Sequence, residues 1–133
     1  MSDPLSPDEL ALLHGVLDAA RDGDVEHLTR ALDAGVPPNL TAAAGDSLLI
    51  LAAYHTQPEA VRILLERGAD TDRVNDRGQT ALGAAVFRRS EPIVRMLLDA
   101  GADPAAGGRT AFEIAEFFEL PEMTALLREP RQL

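Results

Sequence analysis

Apolar residues recur along this chain with the spacing of one face of an α-helix. A valine and two leucines occupy positions i, i+3 and i+4 of residues 61–65, and the same three residue types return at 94–98. That spacing predicts two amphipathic helices. Each is followed by a glycine, Gly68 or Gly101, where a residue in the left-handed conformation commonly ends a helix.

Both helices belong to a longer repeat with a period of 33 residues. Residues 45–70 align with residues 78–103 at that offset, a weaker copy lies at 19–35, and a shortened fourth copy begins at residue 108. Each copy contains a polar turn with glycine, a first helix of small residues, a short break and a second helix. Repeats of this length indicate units that bury their apolar faces by stacking on one another.

Local signals at the helix ends agree with this organisation. Residues 6–9 read Ser-Pro-Asp-Glu, a capping box with proline at the first helical position, so the first helix is predicted to begin there. Pro58, Pro92 and Pro121 each fall at the break between paired helices, where a missing backbone N–H costs little. A proline in the middle of a helix would cost about 3 kcal/mol.

The repeat resembles the ankyrin repeat. Residues 78–85 read Gly-x-Thr-x-Leu-x-x-Ala, and residues 61–70 and 94–103 read Val-x-x-Leu-Leu-x-x-Gly-Ala-Asp. The resemblance implies an all-α fold, an ankyrin-repeat solenoid of four stacked helix–turn–helix units with short hairpin fingers. We expect one domain over residues 1–133, with units at roughly 6–41, 42–74, 75–107 and 108–129.

The chain departs from the family pattern at several positions. The glycine usual between paired helices survives only as Gly23, and Thr56, Arg89 and Glu119 stand at the other breaks. Gly83 replaces the usual histidine of the first helix in the third unit. The fourth finger is shorter than the third, so we expect it to be truncated.

Partners of ankyrin stacks usually lie along the fingers and first helices of the concave side, and the resemblance implies the same here. Tyr54, Phe87 and Phe117 share one repeat position, which predicts a solvent-facing aromatic stripe; packing of the rings as core between repeats is the alternative. Phe118 adjoins Phe117, so we expect one of those two to be core. The candidate partner-binding residues are Asp46, Tyr54, His55, Asp76, Arg77, Gln79, Phe87, Arg88, Arg109 and Phe117.

Charge limits the partners. The net charge of −10 and the pI near 4.6 disfavour nucleic acid and membrane surfaces and favour a partner with a basic patch, although solubility alone also accounts for them. One group of arginines stands out in this acidic chain. We expect it to pair with neighbouring carboxylates, and docking of a partner carboxylate is the alternative. Its members are Arg73, Arg77, Arg88 and Arg89, and the neighbouring acids are Asp72, Asp76 and Glu91.

No motif in the sequence predicts catalysis. The chain has no cysteine, its three histidines lack metal-ligand spacing, and it contains neither a Gly-x-Ser-x-Gly elbow nor a phosphate-binding loop. We therefore expect no catalytic residue, metal or cofactor, and a protein-binding module whose partner lies in the concave groove. The alternative is a self-associating structural or protective protein that dimerises through exposed aromatics; a monomer or a weak homodimer is expected.

Location and source are also suggested by composition. The acidic segment 1–9 lacks the basic start and apolar run of a secretory signal, and no apolar stretch is long enough to span a bilayer. We therefore expect a cytoplasmic protein. Abundant alanine, and arginine used to the exclusion of lysine, suggest a bacterial one.

Close stacking of helix pairs requires small residues such as Ala52 at the contact. Ala52→Leu is expected to overpack the stack and lower the free energy of unfolding by about 1–3 kcal/mol. Thermal unfolding followed by circular dichroism measures this loss. An unchanged melting temperature would contradict the stacked arrangement.

Overall fold

Helices account for most of the chain, and the computed structural model describes residues 6–129. Residues 1–5 and 130–133 of the predicted single domain lie outside the described residues. Between residues 6 and 129 there are eight helices in four helix–turn–helix pairs. They are α1 (Pro7–Asp22), α2 (Val25–Asp33), α3 (Leu48–Tyr54), α4 (Pro58–Glu66), α5 (Ala81–Phe87), α6 (Glu91–Asp99), α7 (Ala111–Phe117) and α8 (Pro121–Arg128).

The first helices of the pairs form one layer and the second helices form another. In the first layer α3 packs between α1 and α5, and α5 packs between α3 and α7. In the second layer α4 contacts α2 and α6, and α6 also contacts α8. Each pair thus rests on its neighbours in sequence, which confirms the predicted all-α solenoid. None of the helices within residues 6–129 has the length and apolar character needed to cross a membrane.

Small residues line the contacts between pairs. Ala52, Ala53 and Ala85 are all 0% exposed, so a larger side chain at these positions has no room unless the helices separate. Around them the core is aliphatic. Its fully buried large side chains include Leu28, Leu48, Leu49, Leu64, Leu82, Ile93 and Leu97. Each such side chain contributes about 1.5–3 kcal/mol when it leaves water.

Hydroxyl side chains cap the first helix of every pair. The Ser6 hydroxyl accepts a hydrogen bond from the backbone N–H of Glu9 at 3.1 Å, and the Glu9 carboxylate accepts one from the Ser6 N–H at 3.1 Å. The hydrogen bond from the Ser6 backbone N–H, followed by a side-chain hydrogen bond with Ser6, lowers the pKa of the Glu9 carboxyl below its ordinary value. The hydroxyls of Ser47, Thr80 and Thr110 likewise accept a backbone N–H of the first turn of α3, α5 and α7, and Glu113 completes a second capping box at Thr110. The capping box predicted at residues 6–9 is confirmed.

The second helices begin and end as the sequence predicts. Pro58, Pro92 and Pro121 lie in the first turns of α4, α6 and α8, where their missing N–H groups have no intrahelical partner to lose. Gly68 and Gly101 follow the ends of α4 and α6 with φ angles of 81° and 94°. Only glycine adopts such angles without strain.

The break between the helices of each pair has one backbone geometry, whether or not glycine is present. Gly23 has φ 76°, while Thr56, Arg89 and Glu119 have φ 55°, 60° and 53°. In every case the next residue's N–H donates to a carbonyl five residues earlier, at 2.8–3.0 Å, which closes a Schellman motif. The stack therefore holds three non-glycine residues in the left-handed region that their side chains disfavour.

Thr56 is the β-branched member of this set, so its strain is the largest expected. Thr56→Gly should raise the free energy of unfolding by about 0.5–1 kcal/mol, because relief of the left-handed strain exceeds the entropy cost of glycine. Urea unfolding measures the change. Gly23→Ala is the opposite control and should destabilise, because alanine is strained at a φ of 76° and its Cβ would clash with Oε1 of Gln57. A Thr56→Gly protein less stable than wild type would contradict this account.

Candidate functional site

Aromatic rings at the ends of the first helices form a ladder along the stack. Tyr54 ends α3 and Phe87 ends α5, and their rings stack with centroids 6.2 Å apart and planes 9° apart. The Phe87 ring in turn meets the edge of Phe118, with centroids 5.4 Å apart. The repeat register produces this ladder, since equivalent positions of successive units lie side by side. We call Tyr54, Phe87 and Phe118 the aromatic ladder.

The ladder faces solvent. Tyr54, Phe87 and Phe118 are 39%, 43% and 39% exposed, and Phe117 is 71% exposed. The rings are therefore not interior core, and the expectation that either Phe117 or Phe118 is core is wrong. Both project from the C-terminal end of α7. The pair formed by α7 and α8 is the last of the stack, and no further helix pair within residues 6–129 packs on it.

The ladder also takes a different third member from the one that repeat alignment predicts. Phe118, one residue beyond the end of α7, contacts Phe87. Phe117 packs instead against Phe118, with ring centroids 4.9 Å apart, and lies under the guanidinium of Arg109 at 6.0 Å.

A buried asparagine holds the hairpin fingers opposite the ladder. Asn75 is 6% exposed, and its Nδ2 donates to Oδ1 of Asp46 at 2.7 Å and to Oε1 of Gln79 at 2.9 Å. Its Oδ1 accepts hydrogen bonds from the backbone N–H groups of Arg77 and Gln79 at 3.0 and 2.9 Å. One side chain thus fixes the turn of the third finger and ties it to the second.

Backbone hydrogen bonds join the fingers to one another. The N–H of Asp76 donates to the carbonyl of Ala44 at 3.1 Å, and the N–H of Gly108 donates to the carbonyl of Gly78 at 3.0 Å. The Asp76 carboxylate lies over the second finger, with Oδ1 2.9 Å from where a Cβ on Gly45 would stand. The three fingers therefore form one continuous edge.

Between this edge and the ladder lies a groove made of two adjoining cavities. The larger has a volume of about 550 Å³ and is lined by Tyr54, Arg77, Gln79, Gly83, Ala84, Phe87, Gly108, Arg109, Ile114 and Phe118. The smaller, of about 310 Å³, is lined by Arg21, Asp46, Ile50, Leu51, Tyr54, His55, Arg77, Gln79 and Ala84. Tyr54, Arg77, Gln79 and Ala84 belong to both, so the two form one groove.

The structure brings most of the predicted site residues to this groove. Lining residues among the candidates are Asp46, Tyr54, His55, Arg77, Gln79, Phe87 and Arg109. Arg88 lies beside the groove with its guanidinium 5.5 Å from the Tyr54 ring centroid, and Phe117 lies at its end. Asp76 lines neither cavity, because its carboxylate faces the second finger.

Several groove residues carry no signal in the sequence that marks them as candidates. Ile114 and Ala84 form part of the apolar floor, and Gly83 lies beneath Ile114, with the position of its missing Cβ 3.1 Å from Ile114 Cδ1. Asn75 was also missed. Its place in a Gly-containing turn is the one available hint, since asparagine side chains in turns commonly bond to nearby backbone.

The arginine group does not pair as expected. Arg73 lies 3.8 Å from Asp70 rather than pairing with Asp72. Glu91 pairs with Arg95 instead of Arg89. Within residues 6–129, Arg77, Arg88 and Arg89 form no ion pair at all. Arginines with an ion pair are Arg21, Arg30, Arg62, Arg67, Arg73 and Arg95. The prediction of pairing is therefore wrong for three of the four arginines.

The Asn75 side chain is the point on which finger geometry depends. Asn75→Ala should lower the free energy of unfolding by about 1–3 kcal/mol, because it leaves buried backbone and side-chain groups without partners. Asn75→Asp keeps the shape but places a carboxylate against Asp46 and should destabilise as well. Urea unfolding measures both losses, and a change below about 0.5 kcal/mol in either variant would contradict this role.

Similarity to known proteins agrees with the architecture. The sequence profile of ankyrin repeats in three copies matches residues 16–107. An ankyrin repeat protein of Pseudomonas aeruginosa is 45% identical over 51 residues, which are 38% of this chain and 30% of that protein. An ankyrin repeat-containing protein of Treponema pallidum is 37% identical over 98 residues, 71% of this chain and 33% of that protein.

A third relative is the human NAD-capped RNA hydrolase NUDT12, 42% identical over 72 residues, which are 52% of this chain and 15% of that protein. The chain thus spans a third or less of the length of the three relatives. Ankyrin repeats are generally protein-interaction modules. With helix pairs stacked in register, fingers along one edge and a repeat profile matched over most of its length, the chain belongs to the ankyrin-repeat family.

Proposed function

We propose that this chain is a non-catalytic protein-binding module that holds a segment of its partner in the groove between the fingers and the first helices. The observation that carries the proposal is the exposed aromatic ladder along one wall of that groove. Tyrosine and phenylalanine bury a large apolar area with few rotatable bonds, and aromatic residues dominate the binding energy of many interfaces.

The groove is also held in shape before a partner arrives. Stacking of Tyr54 on Phe87 restrains the ladder, and the hydrogen bonds of Asn75 restrain the fingers. A preorganised surface loses less conformational entropy on binding, so more of the contact energy remains as affinity. This rigidity suits recognition of one segment in a defined register.

The lining of the larger cavity favours binding over chemistry. Among the described residues that line it there is neither a carboxylate nor a histidine, the groups that most often transfer protons in active sites, although Asp46 and His55 line the smaller cavity. The polar side chains of the larger cavity are those of two arginines, a glutamine and Tyr54. A partner with a basic patch outside the bound segment would still gain encounter rate from the overall charge of −10.

The ladder is tested by removing two of its rings. Tyr54→Ala/Phe87→Ala should weaken capture of the native partner at least tenfold, because each ring is a buried anchor in the complex. Affinity purification from the source cells, followed by quantitative mass spectrometry, compares this variant with wild type.

Leu10→Ala/Leu12→Ala is the matched control. It removes two apolar side chains of similar exposure, 43% and 52%, from α1 outside the groove. A partner retained by wild type and control but lost by the ladder variant supports the proposal. Equal retention by all three proteins would place the binding surface elsewhere.

Self-association through exposed aromatic rings is the second candidate function. The observation in its favour is the 71% exposure of Phe117 at the end of the stack. Light scattering across a hundredfold range of concentration separates the two functions. A dimer that Phe117→Ser dissociates supports self-association. A monomer at every concentration supports instead the binding of a different protein in the groove.

A further inference from the structure

We propose that the segment bound in this groove is acidic as well as apolar: an extended stretch of a partner protein in which carboxylates alternate with aliphatic or aromatic side chains. This inference rests on the proposed function and adds the chemical class of the partner segment. The overall charge of the chain, taken alone, favours a basic partner. The local arrangement of the arginines at the groove, however, supports an acidic segment.

Arginines without a carboxylate partner concentrate at the groove. Arg77 and Arg109 line the larger cavity from successive fingers, and Arg88 lies over Tyr54 beside it. None of the three forms an ion pair within residues 6–129, whereas most other arginines of that part do. Five of the eleven arginines within residues 6–129 form no ion pair, and three of those five lie at the groove.

The acids on the fingers near Arg77 and Arg109 are engaged in other contacts. Asp46, which lines the smaller cavity, accepts a hydrogen bond from Asn75 Nδ2, and Asp76 lies over the second finger. Glu113 accepts the backbone N–H of Thr110 at 3.0 Å as part of a helix cap. Among the described residues, two arginines and no carboxylate line the larger cavity.

The floor between these arginines is apolar. Ala84 and Ile114 line it, Phe87 and Phe118 of the aromatic ladder border it, and Gly83 contributes no side chain. An extended segment places alternate side chains on opposite sides of its backbone, so apolar residues can face the ladder while the residues between them face the fingers. Arginine presents donors in a planar fork that matches a carboxylate, which makes an acid the preferred residue at those positions.

A nucleic acid fits this surface less well than an acidic peptide. A polyanion would bring many phosphates close to a protein of net charge −10, and only a few arginines face the groove. A peptide with a few carboxylates meets the arginines without that repulsion. Its apolar side chains also use the floor, which phosphates cannot.

Four capped and fluorescently labelled peptides of alternating sequence provide the test: Asp–Leu, Lys–Leu, Asn–Leu and Asp–Ser. Fluorescence anisotropy in low salt should show the tightest binding for the Asp–Leu peptide. Replacing aspartate or leucine should weaken it, and added salt should weaken the Asp–Leu complex most, because exposed charge pairs are screened. Single-stranded oligonucleotide of similar length is the polyanion arm and should bind more weakly than Asp–Leu.

Arg77→Gln/Arg109→Gln should weaken binding of the Asp–Leu peptide about tenfold, the product of two exposed ion pairs of ordinary strength. Arg89→Gln/Arg128→Gln is the matched control. It removes two arginines that also form no ion pair with the described residues but line neither cavity of the groove, and it makes the same change in net charge. The control should bind like wild type. Arg77→Glu/Arg109→Glu should instead prefer the Lys–Leu peptide.

Three results overturn the inference: Lys–Leu or Asn–Leu binding as tightly as Asp–Leu, equal losses in the groove and control variants, or no saturable Asp–Leu binding up to about 1 mM. The native partner separates this inference from the function beneath it. If Tyr54→Ala/Phe87→Ala loses the partner and Arg77→Gln/Arg109→Gln keeps it, the groove binds a partner without an acidic segment. If the aromatic variant keeps the partner, the proposed function itself fails.

Discussion

Close approach of one helix pair to the next is the constraint from which the rest of this structure follows. A single pair cannot cover its own apolar side, so it is stable only against a neighbour. Ala52, Ala53 and Ala85 allow that approach because they add almost no bulk, and the surrounding leucines fill the space between layers. Successive units are then related by the same shift along the stack, and that shift also relates their equivalent surface residues.

The groove between the fingers and the aromatic ladder results from this regular shift. A ring at the end of one first helix meets the ring at the end of the next first helix. The stacking of Tyr54 on Phe87 therefore follows from the repeat geometry. The fingers align for the same reason, and backbone hydrogen bonds between them become possible.

Sequence reasoning succeeds here where physical signals are local or repeated. The capping box at Ser6, the prolines at the helix starts and the stacked fold all follow from such signals. It fails where the outcome depends on orientation in space. Phe118 displaces Phe117 from the ladder because α7 ends between them, and the repeat period cannot show which ring turns toward Phe87. The freedom of Arg77 and Arg88 from ion pairs likewise depends on where distant carboxylates point.

The aromatic ladder has an optical consequence. Tyr54 is the single tyrosine of the chain, and tryptophan is absent from the sequence. Phenylalanine absorbs and emits weakly at longer ultraviolet wavelengths, so the near-ultraviolet emission of the whole protein originates from one phenol ring on the wall of the groove. Any molecule that shields this ring or displaces the nearby guanidinium of Arg88 changes that emission. The protein thus carries a native spectroscopic probe in the groove proposed to bind its partner.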